Sequence, residues 1–162
     1  RGSFNYYFGL RDYIDYDIIF RYKAAAGYIW ETGKKIPINE KLFLGGMKNV
    51  RGYDSRSIPK KQICLAANNC RYIETGGMQS FNNSFELSFP VIDRLKMRLV
   101  TFFDYGMIGD NSWNEEERYS AGAGIEWMTP MGPLQLYFVK PLNKKPHDDT
   151  NSFEFSIGSR FN

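Results

Sequence analysis

The chain has two cysteines, one histidine and no long apolar run, and each shortage removes a class of protein. No window approaches 18 consecutive apolar residues, so a helical membrane span is excluded. The lone His147 lies among Lys144, Lys145, Pro146, Asp148 and Asp149, a solvent-type loop that offers neither a His-based triad nor a zinc cluster. Nucleophile-elbow and phosphate-loop spacings are absent as well. No catalytic residue, metal site or cofactor is therefore expected, and the chain is read as a non-enzyme. Glu86 and Asp104 are the one carboxylate pair to weigh for glycoside chemistry; a structural ion pair with a basic partner is the preferred reading. With a net charge of +3 and no useful basic run, nucleic acid is not an expected partner. The chain starts Arg1-Gly2-Ser3 without Met or a signal peptide, so a processed or truncated product is expected.

The two cysteines, Cys64 and Cys70, flank a short polar loop with no His or further Cys nearby. A disulfide formed in an oxidising compartment is preferred to two free thiols in a reducing one. Enclosing so few residues, it would be worth only about 2 kcal/mol and would pin the loop locally.

Aromatic residues are abundant, at 17% of the chain, which suits girdles at two membrane interfaces. A mean hydropathy of -0.46 suggests a water-soluble protein, but membrane strands alternate lipid-facing with lumen-facing side chains and average out as hydrophilic. Such alternation is clearest over residues 81–89, where Phe81, Phe85, Leu87 and Phe89 oppose Asn82, Ser84, Glu86 and Ser88. It recurs over residues 4–11, 16–30, 95–106, 118–128, 134–140 and 152–161. Short turns near 12–15, 90–94 and 129–133 alternate with long loops at 31–79, 107–117 and 141–151, the asymmetry of bacterial outer-membrane barrels. The fold class expected is all-β, an antiparallel transmembrane β-barrel in one domain, 1–162. Seven strands, with Lys41-Leu42-Phe43-Leu44 as a candidate eighth, imply a piece of a larger barrel, because bacterial barrels carry an even number.

The loop 31–79 contains Val50-Arg51-Gly52-Tyr53. Glu86 and Asp104 have lumen parity on the next two strands, about 4.8 Å apart, so a guanidinium has room to fork between them. Gly52 permits a tight path along the wall. A solvent-facing Arg51 beside two hydrated carboxylates is the alternative.

The Val50–Tyr53 tetrad, with Ser84-Phe85-Glu86-Leu87, Phe102-Phe103-Asp104-Tyr105-Gly106 and the run from Ser120 to Leu134, resembles the BamA-type superfamily of outer-membrane proteins. The resemblance covers most of the chain from about residue 16 and corresponds to the C-terminal part of such a barrel. It implies that Arg51 is held by Glu86 and Asp104 as a latch folding the long loop into the lumen. The last segment, with Phe153, Phe155, Ser156, Ile157, Gly158 and Phe161, resembles the family's assembly signal and its seam strand, although Asn162 follows the closing aromatic. Gly158 would either weaken the seam or relieve crowding in the lumen.

The resemblance further implies an outer-membrane location in a Gram-negative bacterium. Lipid, unfolded β-barrel substrates and the accessory lipoproteins of an assembly complex would be its partners, with a second copy of the chain as a further candidate. The function implied is folding and insertion of barrels by strand pairing at a lateral seam. Alternatives are a translocation pore of the same superfamily, of the TamA or two-partner secretion type, or a small self-contained barrel acting structurally or as an adhesin.

Overall fold

Period-two segments become strands here because each has one face suited to charge and one suited to hydrocarbon. The computed structural model describes residues 2–10, 17–31, 33, 36–66 and 69–158. Their strands are β1 (Gly2–Gly9), β2 (Ile19–Tyr28), β3 (Lys60–Ala66), β4 (Asn69–Glu74), β5 (Gln79–Ile92), β6 (Met97–Gly109), β7 (Glu116–Thr129), β8 (Gly132–Pro141) and β9 (Phe153–Ile157). Among the described residues helix is confined to two single turns, Ile38–Glu40 and Asp93–Leu95. None of it is long and apolar enough to cross a membrane, which has no bearing on crossing by strands.

One antiparallel sheet of seven strands runs in the order β1-β2-β5-β6-β7-β8-β9. The fold is all-β and antiparallel, as its alternation required. Among the described residues no pairing joins β1 to β9, so the sheet is open.

The two faces are inverted relative to a protein built for water. On the inner face Glu86 and Asp104 are 2% and 0% exposed, whereas on the outer face Phe85 and Phe103 are 43% and 40% exposed. Leu87, Leu99 and Ile125 belong to the same exposed apolar belt. A continuous band of this kind is stable where the surroundings are hydrocarbon. β5 continues past Pro90, and its register with β6 shifts between Pro90 and Ile92. A residue without an N–H is tolerated at such an irregularity.

The segment between β2 and β5 departs from the expected single loop. Lys41–Leu44, weighed as an eighth strand, makes only isolated bridges, Leu42 to Gly77 and Leu44 to Ile58. Its leucines instead join Val50, Tyr53, Ile58 and Ile108 in a buried cluster, so the segment folds as a small apolar plug against β6. Farther along, the expected polar loop around the cysteines is the β3–β4 hairpin, in which Cys64 faces Cys70 and is disulfide-bonded to it. Alternation is faint there because both faces are wet, with Lys61, Gln62, Ile63 and Cys64 all exposed.

The expected loop 107–117 is shorter than the sequence suggests, because β6 runs to Gly109 and β7 begins at Glu116. Glu116 and Glu117 are charged strand residues, which disguised them as loop; Glu116 lies 2.9 Å from Arg118, where the strand was expected to begin. The turn at 12–15 lies outside the described residues.

Replacing both cysteines with Ser should loosen the hairpin alone, by about 2 kcal/mol. Proteolysis within 60–74 should rise while heat-modifiable migration of the barrel is retained; loss of that migration would contradict the local role.

Candidate functional site

Three features place Val50–Tyr53 on the inner wall. Val50 is fully buried in the apolar plug with Leu44 and Ile108. Gly52 has φ +85°, and a Cβ built there would lie 2.7 Å from Val139 Cγ1, so both conformation and space require glycine. Tyr53 is fully buried, and its hydroxyl donates to Asn143 Oδ1 at 3.2 Å. Burial pushes the Tyr53 phenol up to about 12, which keeps it a donor throughout the physiological range.

Arg51 is the centre of the site. Its Nε donates to Asp104 Oδ2 at 2.7 Å and its Nη2 to Asp104 Oδ1 at 2.7 Å, a bidentate fork. The backbone N–H of Arg51 also donates to Asp104 Oδ2 at 3.1 Å. Nη2 lies 2.8 Å from Glu86 Oε1 and donates to Ser84 Oγ at 2.8 Å, and Ser84 in turn donates to Asp104 Oδ1 at 2.6 Å. The guanidinium stacks 3.6 Å over the ring of Phe102. Thus the structure brings Arg51 to both carboxylates of matching parity. Asp104 takes the fork, and Glu86 takes one nitrogen.

A second arginine continues the chain of charge. Arg21 on β2 lies 2.9 Å from Glu86 Oε2 through Nε and donates from Nη1 and Nη2 to Glu126 at 3.0 and 2.8 Å. Tyr137 on β8 donates to Glu126 Oε1 at 2.6 Å, and Lys23 lies 3.4 Å from Glu86. The buried network therefore runs Asp104, Arg51, Glu86, Arg21, Glu126, Tyr137 across five strands.

Sequence reasoning gave no role to Arg21, Glu126 or Tyr137, and it named Ser84 and Phe102 only within the alternation and the segments that carry the resemblance. Parity put Arg21 and Glu126 on the inner face. Their meeting depends on curvature, since three strand spacings separate β2 from β7, roughly 14 Å along a flat sheet.

A family model described as the Omp85 superfamily domain matches residues 1–161. The chain belongs to the Omp85 superfamily. Two curated relatives carry the name outer membrane protein assembly factor BamA. The one from Neisseria meningitidis serogroup B is 30% identical over 85% of this chain and 20% of its own length. The one from Nitratidesulfovibrio vulgaris is 30% identical over 86% of this chain and 18% of its own length. The chain thus spans about a fifth of the curated relatives it matches. Among solved structures, BamA from Haemophilus ducreyi lacking POTRA domains 1-3 superposes with a TM-score of 0.83 and 25% identity, over 94% of this chain and 33% of that one. These findings agree with the resemblance carried by the tetrad and the strands that follow it.

At the sheet's end in this Omp85 domain, Phe153, Phe155 and Ile157 of β9 are exposed on the outer face, and Ser156 lies half-buried on the inner side. Gly158, expected within the terminal strand, follows it with φ +73°, and a Cβ there would meet nothing within 4 Å. Its left-handed conformation favours glycine. Phe161 lies outside the described residues.

Above the wall, polar contacts tie the loops into a cap. Lys41 and Lys61 lie 2.9 and 2.8 Å from Asp110, and Arg118 lies 2.7 Å from Asp148. Burial alone would raise the Asp110 carboxyl, but its two lysines outweigh that and hold it below the usual range. Asp148 is held low in the same way: burial opposes its charge, and Arg118 prevails. The rings of Tyr72 on the hairpin and His147 on the β8–β9 loop stack at 3.5 Å. Among the described residues no cluster of His, Cys, Asp or Glu is arranged to hold a metal ion.

Proposed function

We propose that this Omp85 domain works in the outer membrane of a Gram-negative bacterium, in a factor that folds β-barrel proteins and inserts them into the membrane. The observation that carries the reading is β9, a strand of only Phe153–Ile157 that ends the order of an inside-out sheet. A short strand that, among the described residues, is held by one neighbour is a site where another strand can add by main-chain hydrogen bonds. An exchange of strand pairs makes and breaks hydrogen bonds alone, so the reading is non-enzymatic and asks for neither nucleotide nor cofactor. Lipid against the outer belt, unfolded barrels at β9 and accessory lipoproteins are the partners it calls for. The assembly-factor names of two relatives support it.

A photo-crosslinking residue in place of Phe155, in the gene product that carries residues 1–162, tests the reading. Adducts with unfolded outer-membrane barrels are expected. Adducts with a polypeptide in transit across the membrane would point instead to the translocation pore, and adducts with neither would overturn the proposal.

A further inference from the structure

The loop motif lies against the approach to β9 residue by residue. The Gly52 N–H donates to Glu154 Oε1 at 2.8 Å, and the Asn151 N–H donates to the Gly52 carbonyl at 3.1 Å. Tyr53 forms an antiparallel bridge with Thr150, and the Asp54 N–H donates to the Asp149 carbonyl at 3.0 Å. The Asn151 side-chain amide donates to the Asp54 carboxylate. Residues 52–54 therefore run beside 149–154 like a miniature strand pair, capped by the carboxylate of Glu154.

The motif thus grips two places at once. Arg51 holds β5 and β6 through Glu86, Ser84 and Asp104, while the next amide in the chain holds β9 through Glu154. β9 needs such a hold. Among the described residues it pairs with β8 from Phe153 to Ile157, extended by the Val139 N–H donating to the Ser152 carbonyl at 2.9 Å and the Gly158 N–H donating to the Pro133 carbonyl at 2.9 Å. Held by a single ladder of that length, β9 rests on few main-chain hydrogen bonds. The contact from Gly52 is a partly buried hydrogen bond to a carboxyl oxygen, and losing it would leave the Gly52 N–H without that acceptor. Gly52 is also fixed in place by its positive φ and by Val139 of β8, so it transmits the position of Arg51 without slack.

We propose that Glu154 is a positioning residue that couples the docked loop to the terminal strand. With Arg51 seated, Glu154 and the 52–54 backbone hold β9 against β8; when the loop leaves the wall, β9 loses that brace and is freed. That the freed strand then pairs with a substrate rests on the assembly reading above, whereas the coupling itself does not.

Hydrogen exchange followed by mass spectrometry tests the coupling, on the gene product carrying residues 1–162 in lipid nanodiscs. E154A should speed exchange of the amides of 153–157 and of 52–54 by about tenfold, the loss of one partly buried hydrogen bond. E154Q keeps an acceptor oxygen and should stay near wild type. R51A should speed exchange in 153–157 as well, although the hydrogen bonds of Arg51 reach β5 and β6. Adding R51A to E154A should change 153–157 little further. Unchanged exchange of 153–157 in R51A, or an E154Q protein as loose as E154A, would overturn the proposal. If E154A does not fold, R51A and E154Q decide it alone. Loss of crosslinks from position 155 with this exchange pattern intact would count against the assembly reading and leave the coupling standing.

Discussion

Arg51→Ala is expected to release the loop from the wall while the sheet from β1 through β8 survives. The wild-type guanidinium is almost fully buried and satisfies Asp104 with two parallel hydrogen bonds. Removing it strands the carboxylates unequally. Glu86 keeps Arg21 at 2.9 Å and Lys23 at 3.4 Å, whereas Asp104 keeps the Ser84 hydroxyl and the backbone amide of residue 51. Breaking one partner out of a buried ion pair costs about 3–5 kcal/mol because the other charge stays behind. The docked state should therefore lose a factor of roughly a hundred to several thousand against the undocked one. Protease protection across residues 41–75 should fall by a similar factor at constant heat-modifiability. Asp104→Asn in the same chain should restore part of it, since a neutral amide costs less to bury alone. Arg51→Lys should rescue poorly, because an ammonium can neither fork onto Asp104 nor stack on Phe102 as a plane. Unaltered protection in Arg51→Ala would mean that the apolar plug of Leu42, Leu44, Val50, Tyr53 and Ile58 docks the loop without help.

That comparison also explains what the sequence made legible. Strands could be read wherever charge and aromatic residues alternate, as from Phe81 to Phe89, because one face meets lipid and the other meets charge. The partners of Arg51 were legible from parity on two adjacent strands, aided by the resemblance. Arg21 with Glu126 was not, since parity names a face and says nothing about how far a sheet curls. Glu154 was hidden for another reason: its partner is the amide of Gly52, and main-chain donors leave no mark in a sequence. Val100, Phe102, Tyr137 and Val139 are apolar residues on the charged face, and they make sense only once the loop, with Met47, is packed over them. The β3–β4 hairpin escaped because a strand pair wet on both faces has no alternation to display.

Leu87→Arg should stop stable insertion into a bilayer. Leu87 is 38% exposed on the outer face of β5, between Phe20 on β2 and Thr101 on β6, with Phe85 and Phe89 as its outward neighbours along the strand. Reading Phe85, Leu87 and Leu99 as a belt against hydrocarbon assigns a cost of about 2–4 kcal/mol to an arginine near the midplane, less toward either interface. Its cross-strand partners Phe20 and Thr101 and its outward neighbours Phe85 and Phe89 carry no charge, and Glu86 points inward, already shared by Arg51, Arg21 and Lys23. Glu86→Gln gives the opposite pattern, because a change on the inner face disturbs the network and leaves the belt intact. The contrast between the two is the sharp part of the test. Leu87→Arg should lower the folded fraction in vesicles while leaving loop protection normal in the molecules that do insert. Glu86→Gln should insert at wild-type yield and lose protection over residues 41–75. If Leu87→Arg inserts as well as wild type, the exposed apolar belt does not face lipid, and the inverted burial of this sheet would need a protein partner to cover it.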